Sequence, residues 1–409
     1  MAKILVLDGH SAAALAFTRS AGRAGHWVAV GANQGIFAAA QLSRYCRFSF
    51  EYPVSTDDAT AFVDRLLEFV SSQSIDLVVP ITDWTLQPLS EQRSRLHGTC
   101  WIALPPDAAV KSASDKYHTI EVARSLGIGV PATWLVRSPD DLRDLPGINF
   151  PVVVKDRSSV RWANGKAIFG SVTYAYGKDE LERKVMDRLH AAGDVLIQEF
   201  VSGKGIGFSC FAAPDGIYVP FAWERIREVD PRGSASSCRK AIALDDHFAD
   251  LSGQLIRAIG FEGVAMVEYK QAGEGPPVIM EINGRPWGSI GLPIASGIDY
   301  PRYLIDWYLS GALPPKRIDY QPGTVCRRIV GELTHLNNVR WGKPDRWPGQ
   351  YPKFWSTLAK IAVPWYPGMH YDDLWLSDLR PGAAGIEHWF RVRLQRRTGN
   401  AKIAGQGGQ

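Results

Sequence analysis

Two strand-like segments near the middle of the chain limit its fold more than any other feature. GVAMVEYK (263–270) carries Glu268 near its end, a Gly/Pro-rich turn follows, and PPVIMEINGRPWGS (276–289) carries Glu281 and Asn283. Two apolar runs joined in this way read as an antiparallel hairpin. Side chains alternate along a strand, so Glu281 and Asn283 leave the same face. With Glu268 paired onto that face, two carboxylates and an amide oxygen converge. Carboxylates held that close repel strongly unless a cation lies between them. Hard oxygen donors suit Mg²⁺, with Mn²⁺ as the alternative, because such an ion keeps waters and takes further oxygens from a phosphate. Arg285, two residues beyond Asn283, points the same way and is placed to hold a phosphate oxygen. The competing reading is an exposed hairpin whose polar face meets water. The apolar runs beside both glutamates argue for a buried site.

The N-terminal third supplies a different pattern. KILVL (3–7) is fit for a buried parallel strand, and Trp27–Val30, Ile75–Pro80 and Trp101–Leu104 look like further strands. Helical stretches are expected at 11–25, 57–73 and 86–95. Strands alternating with helices predict a doubly wound parallel sheet over about 1–112. The turn Asp8-Gly9-His10-Ser11-Ala12 is not a G-x-G-x-x-G turn, so the unit reads as a scaffold or substrate-side domain rather than a dinucleotide site.

Between these regions lie two lysines. Lys116 opens a helix predicted over 114–126 with Ser114 as its N-cap, an unfavourable place for a cation unless it has another use. Lys155 closes the apolar run FPVVVK, where it can reach a phosphate as a point charge. The loop that follows, 157–171, carries Gly165, Gly170 and several hydroxyls, and such loops fold over phosphates with their backbone N–H groups. Leu196–Val201 (LIQEFV) is a strand running into Ser202-Gly203, able to present backbone groups to a flat ring. Helices are expected near 246–260 and 301–309.

Composition excludes several classes. The chain has 409 residues with 45% hydrophobic and 22% charged residues, as in soluble globular proteins of two to four domains. A formal charge of +4 is too small for a committed nucleic-acid binder. Cys46, Cys100, Cys210, Cys238 and Cys326 are scattered and never paired as C-x-x-C, which argues against a zinc site or a disulfide framework. MAKILVLDGH runs straight into a strand, without the features of a secretory leader, and no run approaches the length of a membrane span, so a cytoplasmic location is expected.

Taken together and in order, these pieces resemble the ATP-grasp superfamily of ligases across roughly residues 1–310. Lys116 and Lys155 lie 39 positions apart and match the two phosphate-binding lysines; QEFVSG (198–203) looks like the adenine-binding hinge, with Gln198, Glu199, Phe200 and Val201 as its contacts. Glu268, Glu281 and Asn283 match the E…E-x-N metal triad, the glutamates 13 positions apart, and Arg285 matches the arginine of the N-x-R ending. The resemblance implies three parts: an N-terminal pre-ATP-grasp domain (1–112), a central lid subdomain (113–195) and a second α+β grasp subdomain with the metal site (196–312); the C-terminal extension (313–409) lies beyond it. It also implies a reaction in which a carboxylate attacks the γ-phosphate of ATP and an amine displaces phosphate from the acyl phosphate. Arg285 and Lys155 would act on the reacting groups. Two departures stand out. Gly284 replaces the proline common before the arginine, which leaves the Arg285 backbone freer, and Ser202-Gly203-Lys204 lacks the acidic residue that often holds the ribose. A bicarbonate-activating enzyme like biotin carboxylase or carbamoyl-phosphate synthase, and a nucleotide-binding regulator without catalysis, are the alternatives.

Substrates are expected to be a small carboxylate and an amine. Arg225 and Arg227, on the charge-alternating strand 223–228, together with Arg239 and Trp287, are candidates to hold them, against the plain reading of a solvated strand face. From Leu313 onward there are 15 Lys or Arg against 7 Asp or Glu, and six tryptophans. Three readings suit this extension: a subdomain packing on the core or forming a homodimer contact, a substrate-capturing flap, or an anionic-membrane contact through WFRVRLQRR (389–397).

Overall fold

Apolar strands that alternate with amphipathic helices pack as the sequence predicts. The computed structural model describes residues 1–143, 145, 147–163 and 166–397; Gly165 lies outside the described residues. Strands β1 (Lys3–Val6), β2 (Trp27–Asn33), β3 (Cys46–Tyr52), β4 (Leu77–Val79) and β5 (Trp101–Ile102) form an all-parallel sheet in the order β3-β2-β1-β4-β5. Helix Ala12–Arg23 starts where the Ser11 hydroxyl accepts the Ala14 N–H. Strand β3 was not foreseen, although Cys46, Phe48, Phe50 and Tyr52 alternate with polar residues.

Two further sheets follow. Strands β6 (Thr133–Val136), β7 (Val152–Asp156), β10 (Val172–Ala175) and β11 (Val195–Glu199) form an antiparallel sheet in the order β10-β7-β11-β6, covered by helix Lys178–Ala192. The 157–171 segment is itself a hairpin, β8 (Val160–Ala163) with β9 (Lys166–Phe169). Then β12 (Lys204–Ala213), β13 (Gly216–Glu228), β14 (Ser236–Ala241), β15 (Gly263–Gln271) and β16 (Val278–Asn283) enter a seven-stranded sheet.

That sheet is completed by the extension. Its order is β16-β15-β12-β13-β14-β17-β18, where β17 (Val325–Arg327) lies antiparallel to β14, and β18 (Met369–Tyr371) lies parallel to β17. The segment after 313 is therefore continuous with the sheet that carries the glutamates. It also reaches back to the first helix. Arg19 is fully buried and donates to the Asp378 carboxylate at 2.8 Å and to the carbonyls of Asp372, Asp373 and Asp378. One core cluster spans the N-terminal and seven-stranded sheets, joining Ile4 and Phe17 to Phe221, Trp287 and Leu304. Such a shared core holds the sheets in a fixed relation, which is what positions a site between them.

Candidate active site

The strand register brings the acidic residues together. Glu268 on β15 lies directly opposite Glu281 on β16, and Met266 lies opposite Asn283, so Glu268, Glu281 and Asn283 share one face. That face closes one side of a cavity of about 510 Å³, within the range of small-molecule sites. Lys116, Lys155, Gln198, Glu199, Phe200, Val201, Arg225, Arg285 and Trp287 line it too. Seven cationic side chains face it against five acidic ones, an excess suited to a polyanionic ligand.

The electrostatics match this arrangement. Burial raises the Glu268 carboxyl above its usual range, opposed by Arg225 and reinforced by Glu281 and Glu228. Arg225 donates to Glu268 at 2.5 Å and to Glu228 at 3.0 Å. Burial pushes Lys155 down to about 8, with Lys116 adding to the effect and Glu281 opposing it. Lys116 is lowered by burial as well, against the pull of Glu281 and Asp83, and its ammonium donates to the Ser159 hydroxyl at 2.6 Å. It opens helix Lys116–Ser125, but Asp115 rather than Ser114 caps that helix, accepting the N–H groups of Tyr117 and His118. Ser114 instead ends the preceding helix, Asp107–Ser114.

Arg285 is better fixed than its neighbour suggests. A Cβ on Gly284 would lie 2.7 Å from Phe261 and 2.9 Å from Ala113, so the glycine is required by space and the backbone is held rather than loose. The guanidinium donates to Asp83 at 2.9 Å, tying the hairpin to the N-terminal domain, and Asp83 and Glu281 hold it above its ordinary pKa against the effect of burial.

Arg227 and Arg239 do not line the cavity. A register irregularity between Arg225 and Arg227 breaks the strand alternation that would place them on one face. Arg227 pairs with buried Glu332 at 2.5 Å, and Arg239 is fully buried against Asp372; both partners come from the extension. The plain reading of strand 223–228 as a solvated face fails as well.

Several lining residues were missed. Lys270 follows Glu268 by two positions on β15, so alternation alone could have found it. Arg328, just beyond β17, gave no local signal, since it is a cavity residue only because β17 joins the sheet. Arg232 and Tyr174 come together only in the fold. The Tyr174 hydroxyl donates to the Arg232 carbonyl at 2.6 Å, and Trp347 of the extension packs edge-on against Tyr174 and Phe200 at 5.0 and 5.4 Å. The antiparallel four-stranded sheet is thereby pinned over the cavity by the extension, and Arg346 pairs with Glu180 beside it at 3.1 Å.

The family profile described as "ATP-grasp in the biosynthetic pathway with Ter operon" matches residues 192–329, the stretch that holds β12–β17 and the glutamates. Residues 192–329 thus match an ATP-grasp family model. Relatives include a probable alpha-L-glutamate ligase of Klebsiella pneumoniae, 25% identical over 217 residues, or 52% of this chain and 68% of the relative. A ribosomal protein bS6–L-glutamate ligase of Escherichia fergusonii is 26% identical over 220 residues, again 52% and 68%. Among solved ATP-grasp structures, the L-amino acid ligase of Bacillus licheniformis aligns with a TM-score of 0.58 at 16% identity, covering 76% of this chain and 74% of the other. Biotin carboxylase of Campylobacter jejuni aligns at 0.61 and 16% identity, covering 77% and 73%. The profile runs past residue 312 to include β17, in keeping with the continuity of the sheet.

Proposed function

We propose that the cavity binds Mg-ATP, with Glu268, Glu281 and Asn283 holding the metal, Lys116 and Lys155 the phosphoryl oxygens, and the Gln198–Val201 strand the adenine. The chain is an ATP-dependent ligase that joins a carboxylate to an amine. The observation that carries the site assignment is the direct pairing of Glu268 with Glu281 on a face that also holds Asn283 and looks toward two buried lysines.

The donor set fits a magnesium ion. It offers two carboxylates and one amide oxygen, and no group of three or more His, Cys, Asp or Glu side chains suited to a metal occurs among the described residues. A set this small leaves coordination positions for waters and phosphate oxygens, the usual mode of Mg²⁺ and unlike a structural metal cage. Bound there, the ion would offset charge on the phosphates. Arg225 pairs with Glu268 and lines the cavity, so it would stand beside both the ion and an anionic ligand.

The residues then have separate tasks. Lys155, whose charge is costly to bury, is paired by a γ-phosphate and orients that group for attack by the substrate carboxylate. The carboxylate oxygen bonds to the γ-phosphorus as the bond to the ADP oxygen breaks, giving an acyl phosphate. An amine then adds to the acyl carbon, loses a proton and expels phosphate. Arg285, fixed by Asp83, stabilises the oxyanion of that addition. The four-stranded sheet over the cavity excludes water that would hydrolyse the acyl phosphate.

ADP release is the test, screened over amino acids, small carboxylates, bicarbonate and peptides, because one relative is named for a protein acceptor. Glu281→Gln is expected to abolish turnover while leaving the fold intact. Normal turnover in that variant sinks the site assignment, and release with bicarbonate alone sinks the carboxylate–amine reading.

A further inference from the structure

One poorly covered stretch of the described surface takes no part in lining the cavity. Helix Phe354–Ala362 (FWSTLAKIA) is apolar on most sides, yet Thr357 is its one buried residue. Trp355 is 77% exposed, and beyond the helix Trp365 is 62% and Tyr366 40% exposed. Soluble surfaces rarely gather large apolar groups in this way without something to cover them. The protrusion is firmly built. The buried Arg327 guanidinium donates to the carbonyls of Ile361 at 2.8 Å and Val363 at 2.7 Å, and the Tyr371 hydroxyl donates to the Pro364 carbonyl. Between Asp345 and Asp372 the chain has no acidic residue, while Arg346, Lys353 and Lys360 are cationic.

Exposed indole rings beside lysines, with no carboxylates among them, complement one kind of surface. Tryptophan and tyrosine settle at the headgroup depth of a bilayer, and lysines are drawn to anionic lipid. A protein partner would need an acidic, aromatic-accepting patch to match, whereas an anionic bilayer offers both properties over any area. We propose that helix Phe354–Ala362 and the loop through Tyr366 dock this enzyme on an anionic lipid surface. Trp355, Trp365 and Tyr366 enter the headgroup layer, and Lys353 and Lys360 lie beside the lipid phosphates. Contact is peripheral, since no helix among the described residues is long and apolar enough to cross a membrane. The WFRVRLQRR segment is less suited to the task. It lies in helix Arg380–Arg397, where the Trp389 indole donates to Thr334 and His388 stacks on Phe37.

The proposal stands apart from the ligase reading, and its test needs no substrate. The full chain is sedimented with vesicles of phosphatidylcholine alone and with vesicles of about one-third phosphatidylglycerol, at low salt. The expected result is binding at least about tenfold stronger to the anionic vesicles, with a blue shift of tryptophan emission. Trp355→Ser with Trp365→Ser should lower it about tenfold or more, and Lys353→Glu with Lys360→Glu should erase the preference for anionic lipid, at about fivefold per cation or more. Unchanged melting temperatures show that both variants are folded. The idea is overturned if wild type stays in the supernatant with both vesicles, or if the variants sediment like wild type. It is also overturned if the face proves to hold a dimer, lost in the serine variant, without any vesicle binding.

Discussion

Lys155 carries a buried charge that a bound phosphate would pair. It is 7% exposed, and burial with help from Lys116 pushes its pKa from 10.5 to about 8, against the pull of Glu281. The unfolded chain keeps this proton up to about pH 10.5, while the folded chain releases it near 8. Below pH 8 both states are charged and the folded state bears the full cost. Between 8 and 10.5 the unfolded state binds more protons, so stability rises with pH. A shift of about 2.5 units corresponds to roughly 3 kcal/mol. Lys155→Met removes the cation and keeps much of the stem. The empty variant is expected to be about 1–3 kcal/mol more stable than wild type at pH 7, with the gap closing toward pH 10. Mg-ATP reverses this order, because phosphate oxygens give the buried ammonium the counter-charge it lacks: wild type gains more melting temperature than the Met variant. Thermal melts at pH 7 and 9.5, with and without Mg-ATP, measure all four states. A Met variant that is less stable when empty, and protected by ATP as much as wild type, would refute the reasoning.

Other perturbations separate the supports of the site. Gly284→Ala drives a methyl into Phe261 and Ala113, and should cost about 1–3 kcal/mol in urea denaturation; a neutral result means the turn has room. Asp378→Ala strands the buried Arg19 cation and is expected to cost about 3–5 kcal/mol by the same assay, whereas a loss under about 1 kcal/mol would mark the contact as superficial. Trp347→Ala removes the edge-on contacts to Tyr174 and Phe200. It should raise the KM for ATP several-fold with a smaller change in kcat, and unaltered ATP kinetics would refute the view that the extension holds the lid.

The hairpin could be read from the sequence because each glutamate sits in an apolar run and alternation has a fixed period of two. Lys155 ends such a run as well, so its place was visible. Period two fails where the ladder shifts register, and Arg227 was misplaced for that reason. Arg239 was misjudged for another: its partner Asp372 is 133 residues away, and nothing local announces it. The strands β17 and β18 have three residues each. Runs that short carry no periodicity, and their pairing is decided by the open edge of β14 rather than by their own composition. The Ser114 cap was placed one residue from the true one, within the fraying that affects any helix boundary. Gly284 shows a different limit. Its identity was noticed, but whether a glycine supplies freedom or space depends on what packs against it, here Phe261 and Ala113.

The Arg19–Asp378 pair also sets a timetable for synthesis. Its partners are 359 residues apart, so at about 10 residues per second roughly half a minute separates their emergence from the ribosome. During that interval the first domain has its parallel sheet but not the carboxylate that its central arginine needs, and the guanidinium remains hydrated. The side of the first helix that later meets the extension stays open to water and to chaperones until then. Translation that stops short of residue 378 therefore leaves a protein whose earliest domain, as well as its last, lacks a buried partner.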